Sequence, residues 1–177
     1  MIRGNHERLL LALKNGDIEE VEIRKKYGSG HRLALEKLSA ADIDEICNAP
    51  DQLHITIDNI SILMCHGSPM DRDQYLYPDT DKAEFQKCEV TNADWVLVGH
   101  SHYPFVYPNK SNILINVGSV GQSRIAGGVA SWLMINTTSG TFEVKATPYP
   151  TEKLEIEAEA IDPTIRYLKT ILKRNKT

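Results

Sequence analysis

Residues 94–102 read DWVLVGHSH. The stretch 95–98 is apolar without interruption, as a buried strand requires. It stops at Gly99, and His100 and His102 follow at i and i+2. A strand end fixes where the next side chain starts, and a glycine there lets the backbone bend tightly and a ligand come close. On an extended segment the two histidines would face one side; in a turn they would instead serve two neighbouring metals. Two more segments carry metal-type ligands of this kind, read here as lying at strand ends. The apolar run ISILMCH (60–66) delivers His66 into HGSP, and GNHE (4–7) sets Asn5, His6 and Glu7 after a glycine. Neutral imidazole suits zinc, iron, nickel and manganese, and an amide oxygen suits the harder of these. A lone histidine at a strand end is ordinarily a capping or hydrogen-bonding residue. Several of them, converging from three separate segments, are harder to explain in that way. His31 at a helix start and His54 within an alternating strand lack this context and are assigned to structure.

The elements around these segments define the fold class. LHITI (53–57) alternates and pairs naturally with 60–66 through a tight Asp58-Asn59 turn. NILINVGS (112–119), ASWLMINT (130–137) and GTFEVKAT (140–147) are further strands separated by glycine-rich turns. Helices are expected over 9–13, stopped by Gly16, over 30–38, and from Ser39 towards Pro50. In the last of these, Asp42 stands three residues after Ser39 in a capping-box arrangement. Another helix is expected over 82–90, and a last one from 163 to about 174 with Ile165, Leu168, Ile171 and Leu172 on one face. Strands in the middle and helices at both ends predict an α/β layered sandwich with mixed sheets.

Composition limits the function classes. The chain has 177 residues, enough for one domain that buries roughly 70% of the surface its unfolded form exposes. With 41% hydrophobic and 25% charged residues it is globular rather than disordered. The net charge of −4 and the absence of a Lys/Arg block before the final LKRNKT argue against a polybasic nucleic-acid or membrane surface. That tail is expected to be a frayed, solvated helix end. Cys47, Cys65 and Cys88 form no C-x-x-C pair, so a reducing cytosol is expected, with Cys65 in strand core. LLLAL (9–13) is too short for a membrane span and does not resemble a signal peptide.

GNHE, HGSP and GHSH in this order resemble the calcineurin-like metallophosphoesterases, and more narrowly their small bacterial and archaeal phosphodiesterase branch. NVGSVGQSR (116–124) and HGSPMDRDQYL (66–76) resemble segments of the same branch. The resemblance implies an αββα sandwich of two mixed sheets flanked by helices. It implies a dinuclear site of two divalent transition-metal ions (Mn, Fe, Zn or Ni) with a bridging hydroxide that hydrolyses phosphate esters, phosphodiesters first among them. Asn5, His66 and His100 would bind one metal and His102 the second. His6 would donate a proton to the leaving alkoxide or stabilise phosphoryl oxygens. Glu7 would orient the turn, or act simply as a helix-start acid, and Arg124 would contact the substrate phosphate. The tyrosines of MDRDQYLYPDTD (70–81) would stack on an aromatic group, or the segment is a solvated acidic loop.

The resemblance also implies an Asp-x-His and a Gly-Asp before GNHE. Asp-x-His occurs nowhere, and Gly16-Asp17 follows GNHE at a helix end. The expectation is therefore a single domain over 1–177 lacking the first β-α-β unit. Such a chain would expose a sheet edge prone to self-association and would retain one metal rather than two. Two functions follow: the larger part of a cytoplasmic hydrolase of small phosphate esters, or a catalytically silent fold that presents a scaffold surface to protein partners.

Overall fold

The computed structural model describes residues 1–175. Seven helices and seven strands follow one another as α1 (Asn5–Asn15), α2 (Glu20–Tyr27), α3 (Gly30–Lys37), α4 (Ala40–Asn48), β1 (Gln52–Ile57), β2 (Ile60–Cys65), α5 (Lys82–Lys87), β3 (Trp95–Val98), β4 (Phe105–Pro108), β5 (Ile113–Asn116), β6 (Val129–Asn136), β7 (Thr141–Pro148), α6 (Glu152–Ile161) and α7 (Arg166–Thr170). A 3₁₀ turn, Ile171–Lys173, closes the chain.

Strands β1-β2-β3-β5-β4 form one mixed sheet in that order. Its three inner strands run parallel and both outer ones antiparallel. The strand periodicity of two sorts its side chains to two faces. Val96, Val98, Leu114 and Cys65 pack on one face with Leu76 and Phe85. Ile62, Trp95 and Ile115 pack on the other against Leu133, Ile135, Phe142 and Val144 of β6 and β7. Val96, Leu114 and Ile115 are fully buried, each stabilising the fold by roughly 1.5–3 kcal/mol over an exposed position. A separate apolar cluster of Leu10, Ile43 and Cys47 joins α1, α3 and α4. Because β2, β3 and β5 are parallel, the turns after Cys65, Val98 and Asn116 emerge at one edge of the sheet. That edge is where ligand sites of parallel sheets form.

Expected elements recur with three kinds of difference. The second sheet is a purely antiparallel β6–β7 pair rather than a mixed sheet. Asn5, His6 and Glu7 do not sit at a strand end; they form the first turn of α1, where the Glu7 carboxylate accepts the Gly4 N–H at 2.8 Å. The short elements α2, β4 and α6 were not expected. Each offers a weak pattern: α2 buries Ile23 alone, β4 has four residues ending in proline, and α6 buries none. At the C-terminus, Arg174 accepts the Gly127 N–H at 2.7 Å and Asn175 donates to the Ile125 carbonyl at 2.7 Å. The expected fraying is therefore not found up to Asn175, and the last two residues of LKRNKT lie outside the described ones. Among the described residues no helix is long and apolar enough to cross a membrane.

One long-range tie fixes the helical layer. Asp162, after α6, accepts the Ser29 N–H and the Ser29 hydroxyl, each at 2.7 Å, while Arg24 stands 3.6 Å away. Burial alone would raise this carboxyl, but Ser29 and Arg24 outweigh it and hold it below the usual range. The tie seats α6 and α7 beside α2 and α3.

Candidate metal centre

Three donor atoms meet at the sheet edge. His66 Nε2 lies 2.8 Å from Asn5 Oδ1 and 2.8 Å from His100 Nδ1. A neutral ring nitrogen carries one hydrogen or one lone pair, not both. If His66 donates to Asn5, it has nothing left to accept from His100; if it accepts from His100, the Asn5 oxygen faces a lone pair. A cation resolves this conflict, because all three atoms then act as donors to it. Two donors about 2.1 Å from one ion and at right angles stand about 3.0 Å apart, close to what is found here. The residues present therefore fit one divalent cation. Among the described residues no group of three or more His, Cys, Asp or Glu side chains is placed to hold an ion; the third donor here is an amide.

The backbone explains the convergence. His66 follows β2 directly, and a Cβ on Gly4 would meet its ring at 2.8 Å, so glycine is what admits the imidazole. His100 and His102 both take left-handed backbone, each with φ of 58°, a conformation non-glycine residues adopt mainly where the surroundings impose it. Asn116, fully buried at the end of β5, imposes it here. Its amide nitrogen donates to the Gly99 carbonyl at 2.8 Å and the Ser101 hydroxyl at 2.9 Å, and its oxygen accepts the Gly118 N–H at 2.9 Å. The His102 Nδ1 faces the Gln122 carbonyl at 3.2 Å, which leaves Nε2 with the lone pair.

Asn5, His6, His100, His102 and Arg124 line one cavity of about 210 Å³, and His66 joins it through Asn5 and His100. Lys26, Tyr27 and Tyr75 line it too, and among the described residues no carboxylate does. Lys26 and Arg124 thus make it electropositive, and the Arg124 Nε is buried without a partner. Burial disfavours the charged form of the histidines: together with the His100 ring it pushes His66 down to about 4, and it lowers His6, His100 and His102 as well. Tyr75 packs on His100 with ring centroids 3.9 Å apart and stacks on Tyr77.

His31, assigned to structure from the sequence, touches a candidate site residue: its Nε2 lies 3.2 Å from His6 Nδ1, and the two rings stack at 17°. Nothing in the sequence around His31 announces this, because the contact depends on how α3 packs against α1. Asn116 and Lys26 were also missed; Asn116 stands at the head of NVGS, a segment already noted. His54 remains structural, beside the Ser61 hydroxyl at 2.6 Å.

The calcineurin-like phosphoesterase superfamily domain matches residues 1–140. The chain belongs to that superfamily. The uncharacterized protein MJ0912 of Methanocaldococcus jannaschii is 26% identical over 168 residues, 85% of this chain and 65% of that protein, so the chain spans less than two-thirds of this relative. The crystal structure of the hypothetical protein PH1004 from Pyrococcus horikoshii OT3 is similar with a TM-score of 0.78 at 18% identity, over 99% of this chain and 73% of that one. A metallophosphoesterase from Sphaerobacter thermophilus follows at 0.73 and 17%, over 97% and 75%. At such identities these structures establish the fold.

Proposed function

We propose that this chain hydrolyses phosphate esters, phosphodiesters in particular, in the cavity between α1 and the edge of the large sheet. The observation that carries the proposal is the meeting of Asn5 Oδ1, His66 Nε2 and His100 Nδ1 beside an acid-free cavity. These three residues would hold one divalent cation (Mn, Fe, Zn or Ni), and His102 would turn its free Nε2 to a second ion. Such cations supply a water nucleophile that ionises near neutral pH and neutralise phosphoryl oxygens. The chain's own residues do the rest. Lys26 and Arg124 draw the phosphate in. His6 donates a proton to the leaving oxygen as the bond from phosphorus to that oxygen breaks, and His31 holds the His6 ring. The attacking water supplies the new oxygen on phosphorus. We take the chain to be a single metallophosphoesterase-like domain that works in the cytosol, where its three free cysteines stay reduced.

A silent scaffold is the competing reading, favoured by the lack of a carboxylate-bearing metal cluster among the described residues. One experiment separates them. The purified chain is assayed with each of the four metals on bis(p-nitrophenyl) phosphate. Turnover that His66→Ala abolishes together with metal binding, and that His6→Ala abolishes alone, supports the hydrolase. No turnover with any metal, with less than one ion bound per chain, supports the scaffold.

A further inference from the structure

A second cavity, a half-open groove of about 540 Å³, adjoins the metal cavity. Leu10, Leu33 and Ile46 line it, together with Leu154, Ala158 and Ile161 of α6. His6, Tyr27, Gln122 and Leu168 border both cavities. This shared border decides what the groove is for. If His6 protonates the leaving oxygen, that oxygen lies beside His6 while the phosphoryl group stays with the metal ligands, Lys26 and Arg124. The rest of the leaving group then continues past His6, and the groove is the space on that side. Resting on the hydrolase reading, we infer that the groove is the leaving-group site and takes an uncharged aromatic group.

Its walls define this class. Apolar side chains dominate, so a buried aromatic ring gains about 25 cal/mol for each Å² removed from water. Glu7, Glu157 and Asp162 lie along the groove and disfavour an anionic leaving group, such as one with a further phosphate, while its apolar walls disfavour burying a charge of either sign. His31 adds a polar anchor. It is 9% exposed, lines the groove, and its Nδ1 is buried with no partner. A buried polar atom without a partner is costly, and a ligand heteroatom relieves that cost. The size lies within the range of small-molecule sites.

The test compares methyl phenyl phosphate with methyl 2-naphthyl phosphate, whose leaving groups have similar acidity, on the metal-loaded chain. The naphthyl ester is expected to show a kcat/KM about tenfold higher, from the extra ring buried. Leu154→Glu and Ala158→Glu lie on a helix that buries no residue, so the fold tolerates them. Each is expected to erase the preference, lowering kcat/KM for the naphthyl ester about tenfold more than for the phenyl ester. Binding of 2-naphthol, followed by its fluorescence without metal, is expected to weaken about tenfold in the same variants. Equal kcat/KM for the two esters, or a preference that survives both variants, overturns the inference. If neither ester turns over but 2-naphthol still binds in a variant-sensitive way, the hydrolase reading fails and the groove stands as a ligand site. Absence of 2-naphthol binding overturns the groove.

Discussion

Replacing Gly4 with alanine isolates the placement of one imidazole. The Gly4 backbone, with φ of −98°, suits alanine without strain. The added Cβ would lie 2.8 Å from both Cε1 and Nδ1 of His66, against an ordinary contact distance of 3.4 Å or more. The His66 ring must therefore retreat by about 0.6 Å or tilt away, and its Nε2 leaves the point it shares with Asn5 and His100. Metal–ligand distances tolerate only about ±0.2 Å, so the displacement is some three times what the bond accepts. Disturbing a ligand's support in this way typically weakens a metal site 10–100-fold, and we expect a loss of that order in the Kd for Mn²⁺ by titration calorimetry. The control is Gly16→Ala. Gly16 has φ of 77° and open space around its Cβ position, far from any donor. Its replacement should cost about 1 kcal/mol of stability and leave metal affinity unchanged. If Gly4→Ala binds Mn²⁺ as tightly as the native chain, the three side chains do not share a cation.

Three other outcomes are expected. His66 is held at about 4 against its ordinary 6.5 by burial and by His100, so the unfolded chain binds the extra proton between those values. Stability therefore falls as pH drops from about 6.5 towards 4. Asp162, held below its usual range, adds a loss in the same direction at lower pH. Calorimetric Tm should track this fall, and His66→Ala should make it shallower, the other lowered histidines carrying the remainder; a Tm indifferent to pH over this range refutes the assignment. His31→Ala should lower kcat about tenfold or more on an alkyl ester, whose leaving group needs the His6 proton, and much less on a nitrophenyl ester; equal losses on both would make His31 structural. Asp162→Ala removes the partner of two Ser29 donors and leaves Arg24 unpaired. It should cost about 3 kcal/mol, measured as a lowered urea midpoint, and an unchanged midpoint would show that the tie contributes nothing.

What could be read from the amino acids alone depended on how local the signal was. The uninterrupted apolar strands β2, β3 and β5 and the Asp58-Asn59 turn, both of whose residues have positive φ, were legible because a strand's partners impose a simple period. The α4 start was legible because Ser39 and Asp42 do cap each other, with Ser39 accepting the Asp42 N–H at 3.2 Å. Asn5, His6, His66, His100 and His102 stood out as residue types near glycines, and Arg124 through the NVGSVGQSR segment; all but His66 line one cavity, and His66 touches Asn5 and His100 at its edge. The turn of α1 that carries Asn5 was not legible, because its cap is a glycine closed by a residue three positions on. α6 escaped because Leu154, Ile156 and Ala158 alternate rather than follow a helical stripe. His31 escaped because its partner is 25 residues away and no periodicity encodes a stacking contact between two helices.

Asn116 has a consequence for the lifetime of the protein. Its amide donates twice and accepts once, and an aspartate of the same shape could only accept. Spontaneous deamidation there would set a negative charge against the Gly99 carbonyl and release the turn that aims His100 and His102. The sheet beneath is held by Val96, Leu114 and Ile115 and would persist. An aged molecule of this kind would keep its melting behaviour while losing its grip on metal, so a count of folded protein would overstate how much of a stored sample is competent.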